Sequence, residues 1–338
     1  MDRRQKQADP ELVLRVAKAH YVADRSMVQI SEDEGISRFQ VARLVKFARD
    51  SGIVEVRVHD EADENPELAE RLTTVLGISR CIVVGRSRAL GMMPTLDSVA
   101  SAVARELARV VRPGQRLGLT WSRVIEKLPE HVKDMAPGEV VQLAGALSFD
   151  GDRLGSVEVI RQVARASGGT AYPFYAPLWV GDARTAASLS AQPEIARCLE
   201  LIADLDVAVV SVGHWGERGS AVYPLLPPEL AEQVRDEGCI GEVSGRLLDR
   251  DGASIDSTLD DQIIGITAEQ LRAVPERIAT TYGEYRAEAT IAAVRAGFIS
   301  NLVLDEPQAQ RIVTMLEESA CTPGSRAGVG AAGRRPGR

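Results

Sequence analysis

The chain has 338 residues with 45% hydrophobic and 26% charged side chains, the balance of an ordinary globular protein and not of a disordered or fibrous one. No apolar run reaches the ~18–20 residues that span a bilayer, and residues 1–7 lead into no apolar core, so neither a membrane span nor a signal peptide is expected and a soluble, cytoplasmic protein is. A net charge of −8 and only 4% aromatic residues disfavour a chain coated in nucleic acid or a broad base-stacking platform.

In chain order, three helices are predicted first. One starts at Pro10, where proline sacrifices no needed N–H, with Leu12, Val13, Val16, Ala17 and Ala19 at helical spacing. A second covers about 27–34 and ends at Gly35; Ser37 caps a third with Val41, Leu44, Val45 and Ala48 as its apolar stripe. Alternation over 53–58 predicts a half-buried strand, on which Arg57 is an exposed charge or a phosphate contact. An acidic stretch at 60–65 precedes Pro66 and a connecting helix with Leu68, Leu72, Val75 and Leu76.

From residue 80 short apolar runs (81–84, 116–120, 140–143, 207–212, 302–304, with a further strand at 277–281) alternate with helical patterns near 96–110, 156–167, 192–203, 284–296 and 306–318. That alternation predicts an α/β domain, a doubly wound parallel sheet covered on both faces. Residues 322–338 hold five glycines and four arginines without periodicity. The expected organisation is a mostly α, winged-type helix-turn-helix domain at 1–60, a linker helix at 61–78, an effector domain at 79–320 and a disordered basic tail at 321–338.

The mean charge conceals an asymmetry. Residues 1–60 carry eleven Lys/Arg against ten Asp/Glu, and 37–49 hold four cations with no anion. Residues 27–44 have the layout of a helix-turn-helix: Ile30, Ile36, Val41 and Leu44 at core positions, and Gly35 at the turn. The exposed face of the second helix then presents Ser37, Arg38, Phe39, Gln40, Arg43 and Lys46 to operator DNA. Arginine and glutamine pair with guanine and adenine edges in the major groove, and Lys46 suits a phosphate. Phe39 either touches a thymine methyl or packs on the first helix, and Arg49 suits the helix C-terminus.

These residues carry a resemblance. The stretches Glu-Leu-Val-Leu-Arg-Val-Ala-Lys at 11–18, Ser-Arg-Phe-Gln-Val-Ala-Arg-Leu-Val at 37–45 and Ser-Gly-Ile-Val-Glu-Val at 51–56 resemble the N-terminal domain of the SorC family of bacterial sugar-binding transcriptional regulators. Later landmarks at 117–123, 140–145, 206–213, 238–242 and 304–306 extend the resemblance over about 10–320. It implies an effector domain akin to ribose-5-phosphate isomerase, glucosamine-6-phosphate isomerase and coenzyme A transferases. It also implies a sugar or sugar-phosphate effector, and tetramers acting as pairs of dimers.

Ligands of parallel sheets sit beyond the carboxyl ends of the strands. Residues 118–123 follow one strand and are expected to open a helix, with the Thr120 and Ser122 hydroxyls, free N–H groups and Arg123 suited to an anion, while Trp121 either joins them or packs. Residues 213–220 follow another strand, where glycines let a backbone approach a ligand; the family pattern adds Gly213 and Ser220. Glu242, just after a short strand, suits sugar hydroxyls, and Gln142 and Gly145 fall in the 140–145 landmark. Where the family has Gly-Gly-x-x-Lys, this chain has Tyr282-Gly283 and then Arg286; where the family has Trp-Gly-Arg-Thr, it has Ser122 and Val124. Both departures put the usual effector in question.

The four cysteines (81, 198, 239, 321) show no metal or disulfide spacing, and His214 has no second ligand nearby, so no metal and no cofactor beyond the effector are expected. A sugar-phosphate isomerase is the rival reading, with Asp206, Glu217 and Glu242 as candidate bases but no matched acid–base pair. A DNA-binding scaffold with a decayed pocket is the third.

Overall fold

The computed structural model describes residues 9–54, 64–86, 95–147, 153–255, 257 and 259–321. The chain forms two compact units, Met1–Asp60 and Glu61–Arg338.

In the first unit α1 (Pro10–Tyr21), α2 (Met27–Asp33) and α3 (Arg38–Asp50) pack around Val13, Val16, Ala17, Ile30, Val41, Leu44, Val45 and Ala48. Reciprocal capping boxes start two of these helices, Ser26 with Gln29 and Ser37 with Gln40, so each supplies its own terminal hydrogen bonds. Gly35 between them has φ +64°, a backbone that a side chain would strain. With so few buried side chains the unit has little reserve. Ile30→Ala is expected to cost about 2–5 kcal/mol, melting this unit first. Two separate thermal transitions, the lower one shifted, would check it. The expected wing strand is not found at Ile53 and Val54, where the Val54 N–H donates to the Ala48 carbonyl at 2.9 Å; residues 55–58, Arg57 among them, lie outside the described residues.

The second unit opens with α4 (Pro66–Leu76). The expectation of a linker helix fails here. Leu72 is fully buried in this unit's core, and Asn65 donates to Glu306 at 2.8 Å, so α4 is part of the domain. The strands are β1 (Arg80–Val84), β2 (Arg116–Leu119), β3 (Glu139–Gln142), β4 (Thr170–Tyr172), β5 (Val207–His214), β6 (Gly241–Val243), β7 (Arg246–Leu248), β8 (Glu276–Thr280) and β9 (Asn301–Asp305). Seven run parallel in the order β1-β9-β8-β5-β2-β3-β4, and the β6–β7 hairpin adds antiparallel to the end of β5.

Alternate residues of β5 enter different cores: Val207 and Val209 join α5 (Leu96–Val110) and α6 (Ser156–Ser167), while Ala208, Val210 and Val212 join a cluster that includes α11 (Ala287–Arg295) and α12 (Glu306–Cys321). The sheet is thus covered on both faces, as the near-continuous apolar runs require. The remaining helices are α7 (Ala183–Ser190), α8 (Pro193–Leu201), α9 (Pro228–Asp236) and α10 (Ala268–Ala273). α12 keeps Cys321, and the expected tail from 322 lies outside the described residues. No described helix is long and apolar enough to cross a membrane.

The strand order sets the site. From β2 the chain moves outward to β3 and β4; from β5 it moves the other way to β8 and β9. The neighbouring carboxyl ends of β2 and β5 form the switch point at which such sheets open a crevice.

Candidate functional site

In the first unit, Arg38, Phe39, Gln40, Arg43 and Lys46 all lie exposed on α3, with Ser37 as its cap. Phe39 is 90% exposed, so it does not pack on α1 and is free to meet a ligand. Arg38 and Arg43 have no carboxylate partner among the described residues. Lys46 meets Asp50 at 3.6 Å, an exposed pair worth about 0–1 kcal/mol that a phosphate can displace. Gln40 corrects the expectation of paired bonds to adenine. Its Oε1 accepts from the Ser37 N–H at 2.9 Å and from the Ser37 hydroxyl at 3.0 Å, leaving only its amide N–H groups for a base.

In the second unit, a cleft of about 860 Å³ opens at the switch point, within the range of about 300–1,000 Å³ typical of small-molecule sites. Nine of the ten expected effector residues line it: Thr120, Trp121, Ser122, Arg123, Gly145, Gly213, Ser220, Glu242 and Arg286. Gln142 does not. Its buried side chain donates to the Ala144 carbonyl at 2.8 Å and accepts from the Phe174 N–H at 3.4 Å, bracing the chain as it leaves β3.

Several lining residues act differently from expectation. The Thr120 N–H is not free; it extends the ladder to the Val209 carbonyl at 3.1 Å. Ser122 accepts the Ile125 N–H at 3.2 Å and opens a 3-10 turn, Ile125–Glu130, in place of the expected α-helix, since Pro129 removes a helical donor. The Ser122 and Arg123 N–H groups have no acceptor among the described residues. The Trp121 indole N–H donates to the Leu154 carbonyl at 2.9 Å, and Arg153 stacks over its ring at 5.1 Å.

Gly145 is small for packing: a Cβ there would lie 2.3 Å from the Pro177 carbonyl oxygen. Gly213 faces Glu242 across the β5–β6 ladder, and a Cβ would lie 2.3 Å from the carboxylate. The glycine therefore admits Glu242 and is not spared for a ligand backbone contact. Glu242 itself sits within β6, not after it. It is 5% exposed and accepts from the Ser220 hydroxyl at 3.1 Å and the Gly245 N–H at 3.0 Å. The Ser220 oxygen also accepts the N–H groups of Val222 and Tyr223, tying the loop after β5 to the carboxylate.

Burial pushes the Glu242 carboxyl above its ordinary pKa, and the Gly245 and Ser220 bonds and Arg286 pull it back. A raised folded-state pKa means that stability is fully present below the unfolded value of 4.5 and is lost as pH rises through the folded one. Wild type is therefore expected to lose stability relative to Glu242→Gln as pH climbs above 4.5, and not below it. Paired melts across that range, reading only the difference, check this sign.

Arg286 is the unusual cation. It is 9% exposed, donates to the carbonyls of Tyr282 and Gly219 (3.3 Å for the latter) and stacks on the Tyr285 ring at 4.4 Å. No described carboxylate lies within ion-pair distance of it. Burial lowers its pKa, yet a guanidinium stays charged. Arg123 reaches the Tyr285 hydroxyl at 3.4 Å, placing a second cation on the same rim. A guanidinium held only by carbonyls and a ring face favours an anion beside it. Sequence reasoning missed Arg153, Arg218, Tyr285, Leu147, Leu178 and Leu225 as lining residues. Arg218 and Tyr285 fell in loops already singled out; the leucines carry no local signal. Among the described residues no cluster of His, Cys, Asp or Glu could hold a metal.

Residues 60–314 match the family described as "Putative sugar-binding domain". The chain belongs to this family, the SorC group of sugar-binding transcriptional regulators. It is 25% identical over 308 residues to the uncharacterized transcriptional regulator YjhU of Escherichia coli K12, covering 88% of this chain and 93% of that one. It is 25% identical over 328 residues to the deoxyribonucleoside regulator of Bacillus subtilis, covering 94% and 100%. The full-length sorbitol operon regulator SorC from Klebsiella pneumoniae has the same fold, with a TM-score of 0.67 at 20% identity over 90% of this chain and 98% of that one. This SorC-family member is a DNA-binding transcriptional regulator under effector control.

Proposed function

We propose that this regulator reads its operator through Arg38, Phe39, Arg43 and Lys46 on α3, and that its operator affinity is set by a phosphorylated sugar-type effector bound in the switch-point cleft. The buried Arg286 guanidinium, facing the cleft without a carboxylate partner, carries this reading. The effector's anion meets Arg286 and Arg123, with the free Ser122 and Arg123 N–H groups beside it, and its hydroxyls meet Glu242. An effector changes operator affinity only by as much as its affinity differs between the operator-bound and free forms.

The assembly proposed is a homo-tetramer. Residues 61–338 carry a net charge of −9, which repels DNA at long range, so stable residence needs several heads at once. The chain is proposed to do no chemistry on its effector. Asp206 accepts the Arg116 N–H at 2.8 Å at the amino ends of the strands, away from the cleft; Glu217 lines the cleft with Glu242, and no hydrogen bond among the described residues couples the two carboxylates.

The test is operator affinity at fixed salt, with and without a panel of sugars, polyols and their phosphates, alongside thermal stability. A ligand at 100 times its Kd raises folded-state stability by about 2.7 kcal/mol. Stabilisation and an operator response confined to the phosphorylated members are expected; no response across the panel would sink the reading.

A further inference from the structure

The lining of the cleft is of two unlike kinds. Arg123, Ser220, Glu242 and Arg286 supply charge and hydrogen bonds. Leu147, Leu178 and Val222 belong to one contiguous apolar cluster, and Pro224 and Leu225 continue its surface into the cleft. Among the described residues of the second unit, four large apolar side chains are more than a third exposed, Val75, Tyr175, Leu225 and Tyr285; two of them, Leu225 at 39% and Tyr285 at 46%, line this one cleft. The neighbouring Leu226 is buried, so the turn that carries both residues commits one leucine to the core and shows the other to the ligand.

The leucine and proline part of this surface offers no partner to a hydroxyl, and a hydroxyl buried against it loses its water without compensation. A molecule hydroxylated on every side would therefore be mismatched to part of the cleft. Resting on the reading of the cleft as an anionic effector site, we propose that the effector is a phosphate ester that also carries an apolar group, deoxygenated carbon or an aryl or alkyl substituent, and is not a fully hydroxylated sugar phosphate. The anion sits at Arg286 and Arg123, and the apolar group covers Leu225, Leu178 and Leu147.

Calorimetric titration of the full-length chain tests this with glucose 6-phosphate, 2-deoxyglucose 6-phosphate and phenyl β-glucoside 6-phosphate, the last two separating deoxygenated carbon from an added ring. One or both apolar-bearing ligands are expected to bind about tenfold or more tightly than glucose 6-phosphate, a discrimination that an apolar pocket can supply. Leu225→Ser, at a position exposed enough to leave the fold intact, is expected to close that gap. Equal or weaker binding of both apolar-bearing ligands overturns the inference, as does a gap that persists in Leu225→Ser. If glucose 6-phosphate binds and Arg286→Ala abolishes it, the anion reading stands whatever the apolar arms show. If no phosphate binds, both fall.

Discussion

Arg286→Ala is expected to lower affinity for a phosphorylated effector by about 10–100-fold, while operator binding without effector is unchanged. The physical reason is the loss of charge-assisted hydrogen bonds, each worth about 1.5–3 kcal/mol. In the wild type the guanidinium is buried, bonded to the Gly219 and Tyr282 carbonyls and stacked on Tyr285. Its fork is thus already oriented when the anion arrives. Arg286→Lys keeps the charge but has no fork with which to hold the Gly219 carbonyl and the anion together, so an intermediate affinity is expected. Burial lowers the Arg286 pKa, which says that the fold holds this charge against a desolvation cost; truncation should therefore not unfold the domain. Titration of the three proteins with one sugar phosphate, beside operator binding without it, measures both halves.

Arg43→Ala is expected to weaken operator binding by about 1–3 kcal/mol and to relax preference at one base pair. Arg43 stands exposed on α3 with no described carboxylate to neutralise it. Lys46→Ala should act differently. It should weaken binding about equally for all sequences and lower the salt-dependence slope by about one, because a phosphate contact carries no sequence information. Operator titrations at several salt concentrations, on matched and single-mismatch sites, separate the two. Equal behaviour of the two variants would place Arg43 on the backbone. Surface substitutions on α3 leave stability within about 0.5 kcal/mol, so lost binding reads recognition and not folding.

Much of the fold was legible because its elements are long and periodic. The stripe Val41, Leu44, Val45 and Ala48 fixed α3, and the Ser37 cap with Gln40 three residues on fixed its start. The apolar runs at β1, β2, β3, β5, β8 and β9 marked a buried parallel sheet. β4 and β7 were missed because three residues are too few to show a period; β6 was read as a short strand ending before Glu242, because a buried carboxylate breaks the apolar pattern inside it. α4 was read as a linker because its own sequence cannot show that Leu72 is covered by the sheet and α12.

The candidate site divides along the same line. Local sequence determined which residue types are available: the acid-free cationic face of α3, the loops after β2 and β5, and an arginine where the family has lysine. Tertiary structure alone decided what each one does. Gly213 makes room for Glu242, Gly145 for the Pro177 backbone, and Gln142 braces the chain instead of meeting a ligand. Arg286 lies beside two carbonyls with no described carboxylate at ion-pair distance only because the chain folds it there, and Leu147 and Leu178 join it in one cleft from other segments. Periodicity and capping are encoded within a few residues, whereas burial, pairing and the company that a side chain keeps are set by contacts between segments far apart in the chain.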